Sequence, residues 1–223
     1  PKANGEHPLR TSKATIRFGG LVAVNELDMQ VKRGEIYGLI GPNGAGKTTI
    51  FNLLTGVYEP TSGEIHFEDE RIDGLRPYQI ARRGVSRTFQ NIRLFPGMSV
   101  LENVMTACHI HARQGLIDAV LRLPRYYRDE EEHRKFAMEL LDIFDLGGLK
   151  DEGGTSLPYG KQRRLEIVRA LATRPKLLLL DEPAAGLNPS EQEDLMNLIQ
   201  QIRDRFGLTI LLVEHNMKVV MGV

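Results

Sequence analysis

The sequence predicts an α/β chain on a mostly parallel sheet, with an antiparallel β start and an inserted helical segment. Three observations carry this. Apolar runs in "EIYGLI" (35–40), "PKLLLLDEP" (175–183) and "LTILLVEH" (208–215) alternate with helix-like patterns. Such runs belong to strands buried on both faces of a parallel sheet. The glycine-rich stretch "GPNGAGKT" (41–48) joins the first of these runs to a helix-like one. The polar groups of interest sit in the loop after the first run and at the carboxyl ends of the other two, where such sheets bind ligands.

In chain order, residues 1–10 are expected to be a loose tail. Residues 13–33 alternate apolar and polar groups around "RFGG", the pattern of a β-hairpin. After the strand 35–40, "KTTIFNLLT" (47–55) is a helix closed by Gly56 at its C′ position. "PTSGEIHF" (60–67) is a turn and a strand. From about 75 to 150 the pattern is mostly helical, with breaks at Pro96, Pro124 and Gly147-Gly148. The charged run "RDEEEHRK" (128–135) reads as a solvated helix face. "NPSEQEDLMNLIQQIRDRFG" (188–207) is a strongly punctuated helix, with Asn188 as N-cap, Pro189 at N1, Glu191 at N3 and Gly207 at the end. Leu195, Leu198, Ile199 and Ile202 mark its apolar face. The expected division is a nucleotide-type core with the β subdomain over 11–90 and 161–223, and a helical subdomain over about 91–160.

Composition narrows the function. The 223 residues suffice for one α/β domain with a full core. Lys+Arg and Asp+Glu are 29 each, which argues against a nucleic-acid footprint. Cys108 is the sole cysteine, so no intrachain disulfide forms. No secretory h-region and no apolar run of membrane-spanning length is seen, so a soluble chain is expected, with any membrane role exercised through partners.

"GPNGAGKT" matches G-x-x-x-x-G-K-[ST] in its required strand–loop–helix setting. Glycines let successive N–H groups converge on an anion, and the helix N-terminus adds its dipole. Lys47 can reach β and γ phosphates, and the Thr48 hydroxyl can hold Mg²⁺. At glycine frequencies of about 7%, a chance match in this length is on the order of 1%. The pattern predicts a P-loop NTPase core, RecA-like in architecture. Asp181, at a strand end, is the expected outer Mg²⁺ ligand, and Glu182 can act as general base on water. His215 follows a second strand on the same side; it is either structural or a γ-phosphate contact, depending on strand order. Gln90, in "RTFQN", is either a surface residue or a ligand to Mg²⁺ or water. "LPYGKQRR" (157–164), taken alone, is the basic start of a helix.

In this order, "GPNGAGKTT", "RTFQ", "LPYGKQRRLEIVRAL", "LLLLDEP", "AAGLNP" and "VEH" resemble the ATP-binding subunit of ABC transporters. The resemblance covers about residues 10–222. "RFGGLVAVNEL", "GVSRTFQNIRLFPGMSVLENV", "DEPAAGLNP" and "EHNMKVVMG" are similar to the branched-chain amino-acid importer type, LivG-like. The resemblance implies ATP and Mg²⁺ as cofactors. It implies that Phe18 stacks on adenine. Gly41, Pro42, Asn43, Gly44, Ala45, Gly46, Lys47, Thr48 and Thr49 would wrap the phosphates. Thr48, Gln90 and Asp181 would serve the metal, Glu182 would be the base, and His215 would touch the γ-phosphate. Leu157, Pro158, Tyr159, Gly160 and Lys161 would close the site of a second, head-to-tail ATPase subunit, identical or related. Membrane permease subunits are the implied direct partners, a substrate-binding protein an indirect one. The implied location is cytoplasmic, peripheral on the inner face of the cell membrane. A non-transport ABC ATPase or a nucleotide-dependent interaction module is the alternative.

Two departures from the family pattern stand out. The signature, usually L-S-G-G-Q, here reads Leu157-Pro158-Tyr159-Gly160-Lys161. Proline removes a hydroxyl and an N–H that could meet phosphate, and lysine replaces a neutral amide. Relatives of this kind also continue beyond the position of Val223, so the chain is expected to be a fragment or to lack those elements.

Overall fold

A computed structural model describes residues 6–111 and 124–214. His215 therefore lies outside the described residues. The chain divides into two compact units, Pro1–Gln90 with Pro175–Val223, and Asn91–Arg174.

The first unit begins with β1 (Leu9–Phe18) and β2 (Leu21–Val31), an antiparallel hairpin in which Phe18 faces Leu21 across Gly19-Gly20. Gly19 has φ 57°, the left-handed conformation that short hairpin turns demand. The loose tail expected through residue 10 ends earlier. Leu9 is fully buried and pairs with both Val31 and Phe67. One apolar residue among eight polar or small neighbours carries no periodicity, so its strand was not legible. Then come β3 (Ile36–Ile40), α1 (Lys47–Leu54), β4 (Ser62–Phe67) and β5 (Glu70–Arg71). A short helix, α2 (Pro77–Arg82), and β6 (Val85–Arg87) complete the first stretch. After the second unit the chain adds β7 (Leu177–Asp181), a long helix Pro189–Phe206, and β8 (Thr209–Glu214).

Two sheets result. The antiparallel one has the order β2-β1-β4-β5 and the parallel one β3-β8-β7-β6. β6 corrects the mostly helical pattern expected from residue 75. Val85, Ser86 and Arg87 pair in parallel with Leu177, Leu178 and Leu179. A three-residue strand with two polar members gains its identity from that neighbour, not from local propensity. All five residues of β7 and all six of β8 are buried. Ile50, Phe51, Leu53 and Leu54 of α1 join Ile65, Phe67, Leu179 and Leu211 in one core cluster.

The second unit holds α3 (Val100–Cys108), a 3₁₀ turn His109–His111, α4 (Pro124–Ile143) and α5 (Tyr159–Ala172). The helix Pro189–Phe206 is accordingly α6. Ser99 caps α3 reciprocally with Glu102. Pro124 opens α4 where a break was expected; proline suits the first helical turn. Buried Asn103 accepts from the Phe95 N–H at 2.9 Å and donates to the Ser99 carbonyl at 3.0 Å, fixing the 95–99 turn. α5 packs on α3 and α4, and its Leu165, Val168 and Leu171 are buried. Residues 161–174 thus fall in the helical unit, which runs to Arg174 and not to the expected 160.

Candidate nucleotide-binding site

The first unit contains a cleft of about 490 Å³, a size that suits a small ligand. Phe18, Asn43, Gly44, Gly46, Lys47, Thr48 and Thr49 line it, with Gln90 and Glu182. Nine of the expected site residues thus share one cavity. The physical reasons are local. Gly44 and Gly46 adopt φ 83° and 85°, open only to residues without a Cβ at low cost. At Gly46 a Cβ would also stand 2.7 Å from the Ala23 carbonyl oxygen. Gly46 is the N-cap of α1 and offers no side-chain cap, so the first N–H groups of α1 suit an anion. Lys47 is buried and its ammonium donates to the Gly41 and Pro42 carbonyls at 2.6 and 2.9 Å. This holds the cation across the loop. Ala45 closes the turn, its N–H donating to Pro42 at 3.2 Å.

Phe18 stands at the end of β1, 45% exposed, with Tyr58 edge-on at 5.2 Å between ring centroids. An exposed aromatic face braced by a second ring suits stacking on a flat heterocycle.

The carboxylates end β7. Asp181 is buried, and Arg87 at the end of β6 donates to its Oδ2 at 2.8 Å. Arg87 also donates to Asn52 Oδ1 at 2.6 Å and lies over the Phe51 and Phe89 rings. Sequence reasoning missed Arg87 and Asn52. The basic residue in "SRTFQ" was visible, but its pairing with Asp181 exists only because β6 lies beside β7.

Glu182 has φ 47°, an uncommon conformation for a residue with a side chain. Its N–H donates to the Val213 carbonyl at 3.0 Å, which fixes the turn. Its Oε2 accepts from the Gln90 amide at 3.0 Å. Gln90 is therefore not an isolated surface residue. Glu214 is a further buried carboxylate, and its Oε1 accepts from the Ala184 N–H at 3.1 Å. Gln192 donates to the Leu187 carbonyl at 2.9 Å, so "AAGLNP" is held from α6. The Thr48 hydroxyl and the Gln90 amide line the cleft and offer the oxygen ligands a hard cation takes; Asp181, buried against Arg87, is not among the cleft's lining residues.

The signature residues lie in the second unit. Pro158 is the N-cap of α5, with no side-chain cap. Leu157 is buried, and its carbonyl accepts from Gln162 at 2.7 Å. Tyr159 is half exposed and Lys161 exposed. Gln162 was another residue missed, a member of the basic run that braces the turn before the helix.

A family model described as ABC transporter matches residues 24–185. The chain belongs to the ABC transporter family. It is an ATP-binding cassette ATPase with the mixed α/β fold of that family. It is 47% identical to the high-affinity branched-chain amino acid transport ATP-binding protein BraF of Pseudomonas aeruginosa, over 96% of this chain and 84% of that one. It is 49% identical to LivG of Escherichia coli K12, described likewise, over 93% and 82% of the two chains. The lipopolysaccharide export system ATP-binding protein LptB of the same organism is 37% identical, over 92% and 79%. Among solved structures, the ADP conformation of an ABC transporter cassette matches at TM-score 0.82 and 31% identity, covering 96% of this chain and 84% of that one. The dimeric structure of a bacterial ABC transporter cassette matches at TM-score 0.80 and 26% identity, covering 96% and 90%. No described helix is long and apolar enough to cross a membrane.

Proposed function

We propose that this ABC cassette hydrolyses ATP to energise uptake of branched-chain or related amino acids through membrane permease subunits. The observation that carries the substrate class is a contrast. Identity to two branched-chain amino-acid transport subunits is 47% and 49%, against 37% to a lipopolysaccharide export subunit.

Phe18 stacks on the adenine. The N–H groups from Gly44 to Thr49 and the Lys47 ammonium bind the phosphate chain, by the anion physics of a helix N-terminus. Thr48, Asp181 and Gln90 would hold Mg²⁺, which would supply charge neutralisation on the phosphates. Glu182 takes a proton from the attacking water as its oxygen forms a bond to the γ-phosphorus. The bond from that phosphorus to the β-γ bridging oxygen breaks, and ADP leaves with that oxygen. Gln90, bonded to Glu182, orients the base. His215 is the γ-phosphate contact. Residues Leu157–Lys161 complete the ATP site of a second, head-to-tail copy or relative, with α5 aimed at its γ-phosphate. The Pro158 and Lys161 departures fall in that segment. The working location is the cytoplasmic face of the cell membrane, reached through the permeases. A substrate-binding protein outside takes part only indirectly.

The test is reconstitution with the cognate permeases in vesicles, ATP inside, and a panel of labelled solutes presented with their binding protein. ATP-dependent accumulation of leucine, isoleucine or valine is expected. Accumulation of only unrelated solutes would overturn the substrate class and leave the ATPase intact.

A further inference from the structure

The charged run 128–135 of α4, read from sequence as a solvated face, contains a feature that ATP hydrolysis does not use. Glu130 and His133 are three residues apart on one helix, so their side chains share a face. The 3₁₀ turn after α3 brings His109 to that face. His109 Nε2 lies 3.2 Å from Glu130 Oε2, and the two imidazole rings meet edge-on at 5.5 Å. One ligand-type atom from each of the three residues lies within 4.8 Å of the others.

We propose that His109, Glu130 and His133 form a binding site for a divalent transition cation of the zinc class. Two imidazoles and one carboxylate are the donor set such ions prefer, with water in the fourth position. Bonds of 2.0–2.1 Å in a tetrahedral site put ligand atoms about 3.3 Å apart. The His109–Glu130 spacing already has that value. The third ligand needs a shift of roughly an ångström and a half or less, within reach of side-chain rotation. A second observation points the same way. His133 Nδ1 is buried and has no hydrogen-bond partner among the described residues, an arrangement that costs free energy. Ligation through Nδ1 would give the orphan atom a partner. His109 and Glu130 are partly exposed, so an ion has an entry path. Arg174, stacked 4.5 Å over Phe136, adds an opposing positive field, and Asp129 adds a negative one. The ion would tie the end of α3 to α4 inside the helical unit, far in chemistry from the oxygen-only set at Thr48 and Asp181.

The experiment uses the full chain, stripped with a chelator and titrated with zinc sulfate by calorimetry without nucleotide. One ion per chain is expected. His133→Ala and Glu130→Gln should each weaken binding by about tenfold or more, while His66→Ala, outside the cluster, leaves it unchanged. Circular dichroism checks the fold of each variant; Glu130→Gln decides if His133→Ala is unfolded. Cobalt in place of zinc should give the visible bands of a four-coordinate nitrogen–oxygen site, lost in Glu130→Gln. Equal zinc affinity in wild type and both cluster variants would overturn the proposal, as would cobalt showing only its six-coordinate aqua spectrum.

Discussion

Glu182 and Asp181 are adjacent in sequence yet do different work, because their surroundings differ. Glu182 reaches the cleft from a left-handed turn and accepts from Gln90. Glu182→Gln keeps the shape and removes the base, so ATP binding should persist while turnover falls about 10²-fold or more. Asp181 is instead buried against Arg87, with side chains 2% and 8% exposed. Removing one member of such a pair leaves an uncompensated charge. Arg87→Ala should therefore lower unfolding stability by about 3 kcal/mol, measured by urea denaturation. Equal stability would show that the pair is not sustained in solution. Cys108 is a third residue whose behaviour follows from its surroundings. Burial pushes its thiol up to about 11, with Arg174 opposing. At pH 8 the folded thiol is protonated and covered. It should react with a thiol reagent far more slowly than in the urea-unfolded chain, and rapid labelling of the folded protein would contradict this.

At the scale of elements, helix ends were the best-written part of the sequence. Asn188, Pro189, Glu191 and Gly207 take the expected cap positions in α6, with Asn188 accepting from the Glu191 N–H at 2.9 Å. Asn188→Ala should cost about 1 kcal/mol in thermal or urea unfolding. The start of α5 is less ordinary. Pro158 supplies the extended cap geometry, φ −53° and ψ 148°, with no side-chain acceptor. Pro158→Ser restores a hydroxyl and an N–H at this end, so ATP turnover should hold or rise. A large loss would show that the segment meets nucleotide differently. What was legible follows from how the information is stored. The phosphate loop, β7, β8 and α6 carry their signals in consecutive residues. β6, Leu9 and the Arg87–Asp181 pair carry theirs in a partner far along the chain, so neither periodicity nor spacing could announce them. The Gln90–Glu182 bond lies between the two cases; the residues were singled out, the contact was not.

At the scale of the whole molecule, the phosphate loop and the signature belong to separate compact units, Gly41–Thr49 in one and Leu157–Lys161 in the other. If each signature serves a second copy, one chain holds a site it cannot complete alone. The mass-action consequence is a specific ATPase activity that rises with protein concentration until pairing saturates. The same logic would make pairing ATP-dependent, since the phosphates would then contribute contacts to both copies. The measurement that tests this account most directly is steady-state ATP turnover per chain across a wide dilution series, with Glu182→Gln run in parallel. Wild-type activity per chain should climb with concentration, and the variant should stay about 10²-fold or more below it throughout. Constant activity per chain would contradict the shared site. Matching rates in the two proteins would contradict the assignment of this cleft as the seat of hydrolysis.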